Sequence, residues 1–127
     1  MNGRSIVLDT NILLYFLGGD INVSQFFEDY DPIISFVTEL ELLSAPQISR
    51  NEKLLIKDLL RDLTVVKYAD DHKEDILKIR TQKRLKLPDA IIAALAFTLG
   101  LPLVTADTAL RNIAGLDVIF YKISDNG

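Results

Sequence analysis

Short apolar runs alternate with helical stripes along the whole chain. Ile6-Val7-Leu8 is an unbroken apolar run, and Ser5 to Leu8 reads as a buried strand. Thr10 or Asn11 opens a helix through Leu17, which Gly18-Gly19 ends. A second helix is predicted over Val23 to Tyr30. Pro32 precedes a strand from Ile33 to Phe36, and Thr38 begins a helix that Pro46 closes. Between Glu52 and Leu63 the residues Leu55, Ile56, Leu59, Leu60 and Leu63 share one stripe, which predicts an amphipathic helix. Thr64 to Lys67 is a third strand. Asp70 to Lys83 reads as a long charged helix that still turns Ile76 and Ile79 inward. Pro88 to Leu99 is helical and apolar on nearly every side, hence buried or at an oligomer interface. Gly100 takes its C′ position. Pro102 to Val104 forms the fourth strand, Thr108 to Ile113 a short helix and Val118 to Tyr121 the last strand.

Strands alternating with helices predict an α/β domain with a parallel sheet and helices on both faces. In such sheets a ligand sits outside the carboxyl ends of the strands, near the switch in strand order. The length, 127 residues with no repeat or linker, predicts one domain over 1–127.

Composition narrows the chemistry. There is no cysteine and a single histidine, so a metal would be held by oxygen ligands or by His72, which favours Mg²⁺ or Mn²⁺ over zinc. His72 sits in the charged run Asp70-Asp71-His72-Lys73-Glu74-Asp75, a solvated setting that argues against Ser-His-Asp or Cys-His catalysis. The N-terminus enters a strand at once and Ala90 to Phe97 is too short to span a bilayer, so a soluble, cytoplasmic protein is expected. A net charge of −4 argues against a nucleic-acid partner. However, Lys78, Arg80, Lys83, Arg84 and Lys86 fall in one acid-free segment. They are either a solvated helix end beside the dipole or a rim that touches phosphate, with Arg80, Lys83, Arg84 and Lys86 as the candidate contacts.

Four acids stand where the fold would place a ligand. Asp9 follows the first strand and could equally cap a turn or helix. Glu41 lies one turn into the helix after Phe36, and Thr38-Glu39-Leu40-Glu41 matches a capping box with Glu41 at N3. Glu39 competes but points about 200° away around the helix. Asp89 opens the apolar helix, where an acid suits the dipole yet risks desolvation. Asp107 follows the fourth strand after Thr105, and it too could cap. Two carboxylates about 5 Å apart at an effective dielectric of about 20 repel by about 3 kcal/mol. Convergence would therefore call for raised pKa values or a divalent cation. Such a cation suits phosphodiester cleavage, because it activates water and neutralises phosphate charge.

These residues, in this order, resemble a PIN domain of the toxin type found in VapC-like toxin–antitoxin pairs. Val7-Leu8-Asp9-Thr10-Asn11 is similar to that family's first motif, and Phe36 to Leu43 to its second, with Glu41 as the acid. Lys86-Leu87-Pro88-Asp89-Ala90-Ile91-Ile92-Ala93-Ala94 is similar to the third, and Leu103-Val104-Thr105-Ala106-Asp107 to the fourth. The resemblance runs from about Ile6 to Tyr121. It implies a three-layer α/β/α fold with about five parallel strands, one or two Mg²⁺ or Mn²⁺ ions, endonucleolytic RNA cleavage, a homodimer and an antitoxin that blocks the site. Asp9, Glu41, Asp89 and Asp107 would then be catalytic and metal-binding, with Asn11 and Thr105 in support. One departure is Leu110, where such proteins often carry an aromatic residue. A haloacid-dehalogenase-like phosphatase would want an acid at Asn11. A receiver-like binding module could use Lys122 but lacks an aspartate directly after Val66-Lys67. A catalytically silent PIN-like scaffold is the remaining alternative.

Overall fold

The computed structural model describes residues 4–46 and 48–122. The apolar run after Arg4 forms β1 (Ser5–Leu8), which lies at the centre of a parallel sheet. Its neighbours are β2 (Asp31–Ser35) on one side and β4 (Leu103–Thr105) on the other. β3 (Thr64–Val66) extends the sheet beyond β2, and β5 (Val118–Phe120) extends it beyond β4. The order is therefore β3-β2-β1-β4-β5. The direction of winding reverses at β1, so the crevice outside the carboxyl ends of β1 and β4 is the switch point. A receiver-like sheet has the order 2-1-3-4-5, and this topology excludes that alternative.

Strand alternation sends side chains into two cores. Ile6, Leu8, Ile34 and Val104 pack with Ile12 and Leu13 of α1 (Thr10–Leu17), Val23 of α2 (Ile21–Asp29) and Ile56 of α4 (Arg50–Arg61). On the opposite face Val7 and Leu103 pack with Ile76 and Ile79 of α5 (Lys73–Lys83) and with Ala90 and Ile92 to Ala96 of α6 (Leu87–Leu99). α3 (Phe36–Leu43) sends Val37 to one core and Leu42 to the other. The result is the expected three-layer α/β/α arrangement with a five-strand parallel sheet among the described residues. Leu110 is fully buried in the α5–α6 core, so the departure from an aromatic residue leaves a packed wall.

Several boundaries differ from the sequence reading, each for a physical reason. α2 begins at Ile21 because Asp20 caps the Asn22 and Val23 N–H groups. β2 starts at Asp31 and includes Pro32. Pairing with β3 begins only at Ile33, so the missing Pro32 N–H costs no bond on that side. The long charged helix is a 3₁₀ turn, Asp70–His72, followed by α5. The helix expected at Thr108 to Ile113 is a 3₁₀ turn, Thr108–Leu110. Leu55 is exposed rather than on the buried stripe of α4.

The largest correction concerns α3. Phe36 is helical, and Ser35 is the N-cap, with its Oγ accepting from the Val37 N–H at 3.1 Å. Thr38 and Glu41 therefore form no capping box. That motif occurs instead at α4, where Ser49 and Glu52 bond each other's backbone reciprocally.

Candidate active site

The end of β1 delivers Asp9 beside the end of β4. The Asp9 N–H donates to the Val104 carbonyl at 3.0 Å, which brings Thr105 alongside. The buried Thr105 hydroxyl donates to Asp9 Oδ2 at 2.7 Å, and Asp9 Oδ1 accepts from the Thr10 N–H at 2.8 Å. Asp9 is thus the N-cap of α1 and a buried carboxylate at once, only 5 % exposed. Thr105 also accepts the Asp107 N–H at 3.0 Å, and Asp107 Oδ1 caps the following turn through the Ala109 N–H at 2.9 Å. The capping readings of Asp9 and Asp107 therefore hold together with their placement at the strand ends.

Glu41 reaches the same place from α3. Freed of any capping role, its Oε1 accepts from the Thr10 hydroxyl at 2.5 Å. Asp89 stands in the first turn of α6, half-buried, and no side-chain hydrogen bond reaches it among the described residues. Asp9, Asn11, Glu41, Asp89 and Asp107 line one open cleft of about 390 Å³, completed by Thr10, Leu14 and the Ser44 to Pro46 turn. Glu39 does not line it.

Electrostatics binds the four acids into one unit. Burial pushes the Asp9 carboxyl above its ordinary value, the Thr105 and Thr10 hydrogen bonds oppose that, and the charges of Asp107 and Glu41 add to it. Asp89 is also raised, first by desolvation and then by the charges of Asp9, Asp107 and Glu41, with Lys86 pulling the other way. Hence Asp9 and Asp89 each lie in the field of Glu41 and Asp107, and Asp89 in that of Asp9 as well. No three His, Asp or Glu side chains among the described residues stand close enough, as placed, to enclose one ion. Mg²⁺ does not require such a cage, since it keeps several waters and takes one or two carboxylates plus substrate phosphate. An all-oxygen, mutually repelling donor set at a solvent-open cleft fits that mode of binding.

Arg80, Lys83, Arg84 and Lys86 are exposed and none lines the cleft. Arg80 Nε donates to the Leu85 carbonyl at 3.4 Å, holding the α5–α6 connection. Lys86 is the one whose charge reaches Asp89. Thr10 and Thr38 are the polar groups that reading by motif overlooked. Thr38 was absorbed into a capping pattern, although its spacing of three from Glu41 puts both on one helix face.

The family model for the PIN domain matches residues 6–116, a span that contains all four acids. No curated protein matches the chain by sequence. Among solved structures, it is similar to a chain of a toxin–antitoxin complex from Klebsiella pneumoniae, with 28% identity, 93% of this chain and 99% of that one covered, and a TM-score of 0.79. It shares its fold with a chain of VapBC2 from Rickettsia felis bound to a DNA fragment from their promoter, at 19% identity, 94% and 100% coverage and a TM-score of 0.79. The same holds for DNA-bound VapBC from Salmonella typhimurium, at 20% identity, 92% and 98% coverage and a TM-score of 0.80.

Proposed function

The chain belongs to the PIN domain family, and from that premise we propose that it is a metal-dependent endoribonuclease, the toxin of a toxin–antitoxin pair. One observation carries this reading: Asp9, Glu41, Asp89 and Asp107 arrive from four separate segments at one open cleft beside the sheet's switch point. The likeness to the Klebsiella pneumoniae complex supports the toxin assignment and a cognate antitoxin as partner.

The four acids would hold Mg²⁺ or Mn²⁺, with Asn11 and Thr105 in support. When bound, such a cation neutralises charge on the scissile phosphate and makes a coordinated water a better nucleophile. The chain's own groups then have distinct tasks. Thr105 and the Thr10 N–H fix both oxygens of Asp9. The Ala109 N–H fixes one oxygen of Asp107. Asp89, half-buried and with no hydrogen-bond donor among the described residues, depends on a neighbouring positive charge for compensation. Lys86 adds positive charge close to Asp89, where an RNA phosphate would approach. Arg80, Lys83 and Arg84 extend that rim away from the cleft.

A homodimer is part of the proposal. Tyr68, Leu77 and Leu87 are exposed around an apolar groove of about 210 Å³ beside α5 and α6, a surface suited to a second copy. Sedimentation of the purified protein at micromolar concentration tests it, and a monomer would remove it. Among the described residues no helix is long and apolar enough to cross a membrane.

The deciding experiment is cleavage of RNA by purified protein. Cleavage is expected with Mg²⁺ or Mn²⁺, absent in excess EDTA, and abolished in Asp9→Asn and Asp89→Asn. Undiminished cleavage in EDTA, or in both variants, would overturn the metal mechanism.

A further inference from the structure

We propose that Thr10 is a positioning residue that holds Asp9 and Glu41 at a fixed separation, with the buried Thr38 hydroxyl directing its proton. The role in cleavage rests on the nuclease reading above, whereas the positioning itself rests on geometry. Thr10 touches both acids with different groups. Its N–H donates to Asp9 Oδ1 at 2.8 Å and its hydroxyl donates to Glu41 Oε1 at 2.5 Å. One residue of α1 thereby ties an acid at the end of β1 to an acid on α3.

The direction of the second bond follows from counting protons. An ionised carboxylate can only accept, and a threonine hydroxyl has one proton to give. Thr10 spends that proton on Glu41. Its contact with Thr38 Oγ1, at 3.1 Å, then requires Thr38 to donate. Thr38 is fully buried, and it precedes Glu41 by three residues on the same face of α3. The sequence Thr38 to Thr10 to Glu41 is therefore a directed chain of hydrogen bonds, in which each bond strengthens the next. Glu41 needs such a hold. Its side chain is exposed, no salt bridge to it occurs among the described residues, and a free glutamate samples many rotamers. Asp9 is anchored independently by Thr105, so the tie can be cut at Glu41 alone.

Thr10→Val makes that cut, since it keeps the backbone N–H and the side-chain shape while removing the hydroxyl. In metal-free wild type, the NMR vicinal couplings of Glu41 should report one side-chain rotamer. In Thr10→Val they should average, and in Thr10→Ser they should return to the wild-type pattern. Mn²⁺ affinity, and kcat for RNA cleavage, should fall by about 10- to 100-fold in Thr10→Val. KM for RNA should change little, and Thr10→Ser should restore both losses. In a Glu41→Gln background, Thr10→Val should add no further loss. A rotamer-averaged Glu41 in the wild type would overturn the proposal whether or not any variant folds. Couplings unchanged in folded Thr10→Val would do the same. If the wild type cleaves no RNA while the couplings respond as expected, the nuclease reading fails and the positioning role stands.

Discussion

Replacing Asp89 by asparagine should stabilise the metal-free protein while destroying the activity proposed for it. The wild-type carboxyl is half-buried, receives no hydrogen bond among the described residues and feels three other carboxylates, against a single opposing lysine. A carboxylate about 8 Å from another at an effective dielectric of about 20 is repelled by about 2 kcal/mol. Asparagine removes this repulsion and the desolvation of a charge. It also gives up the attraction of the α6 N-terminus for an acid, about 0.5 kcal/mol in a first turn. The net gain should be about 1–2 kcal/mol, which for a domain of this size raises Tm by about 4–8 °C. The pH dependence has a definite sign. Asp89 has a folded-state pKa above its unfolded value, so the wild type loses stability as pH rises through that folded value. Below the ordinary aspartate pKa of about 3.9 both states are protonated, and the variant's advantage should vanish. Thermal denaturation in EDTA at pH 7.5 and at pH 3.5 measures both limits. Saturating Mn²⁺ should reverse the order, because a cation at 100 times its Kd stabilises the wild type by about 2.7 kcal/mol and the variant by much less. A variant less stable than wild type in EDTA at pH 7.5 would refute the electrostatic reasoning. So would equal stabilisation of both proteins by Mn²⁺.

Three further outcomes are expected. Ser49→Ala should lower stability by about 1 kcal/mol through loss of the α4 capping box, with RNA cleavage at permissive temperature unaffected. A urea melt and a cleavage assay separate the two effects. Lys86→Ala should weaken RNA binding and lower the salt slope of log K by about 1 if Lys86 meets phosphate, as measured by a filter-binding titration at several salt concentrations. Gly115→Ala should destabilise by about 1–3 kcal/mol, since its φ is +79° and an added Cβ would lie 2.9 Å from Cε2 of Phe97. A melt indistinguishable from wild type would show that Phe97 yields freely.

The sheet and most helices were legible in the sequence because apolar periodicity reports burial, and burial is what β1, β4 and α6 share. Strand order was not legible, since short runs such as Thr64 to Val66 carry no record of which neighbour they pair with. Asp9 and Asp107 could be placed because one directly follows a strand and the other stands two residues beyond one. Glu41 was found by motif but assigned the wrong local partner. Two capping residues, Ser35 and Thr38, lie three positions apart, and local chemistry alone does not say which one starts α3. In the fold the Ser35 hydroxyl accepts the Val37 N–H, while the Thr38 hydroxyl is engaged with Thr10 instead. The basic segment could not be divided into separate roles from sequence alone. In the fold Arg80 bonds the Leu85 carbonyl, and Lys86 lies in the field of Asp89.

The bond between Thr105 and Asp9 joins residues 96 positions apart. Asp9 directly follows β1 and Thr105 ends β4, which is held between β1 and β5. The segment between them includes β2, β3 and the helices α1 to α6, and closing so long a loop is slow. The cleft is therefore a late product of folding: no local segment can form it, and its geometry reports that the sheet has been joined from β1 to β4.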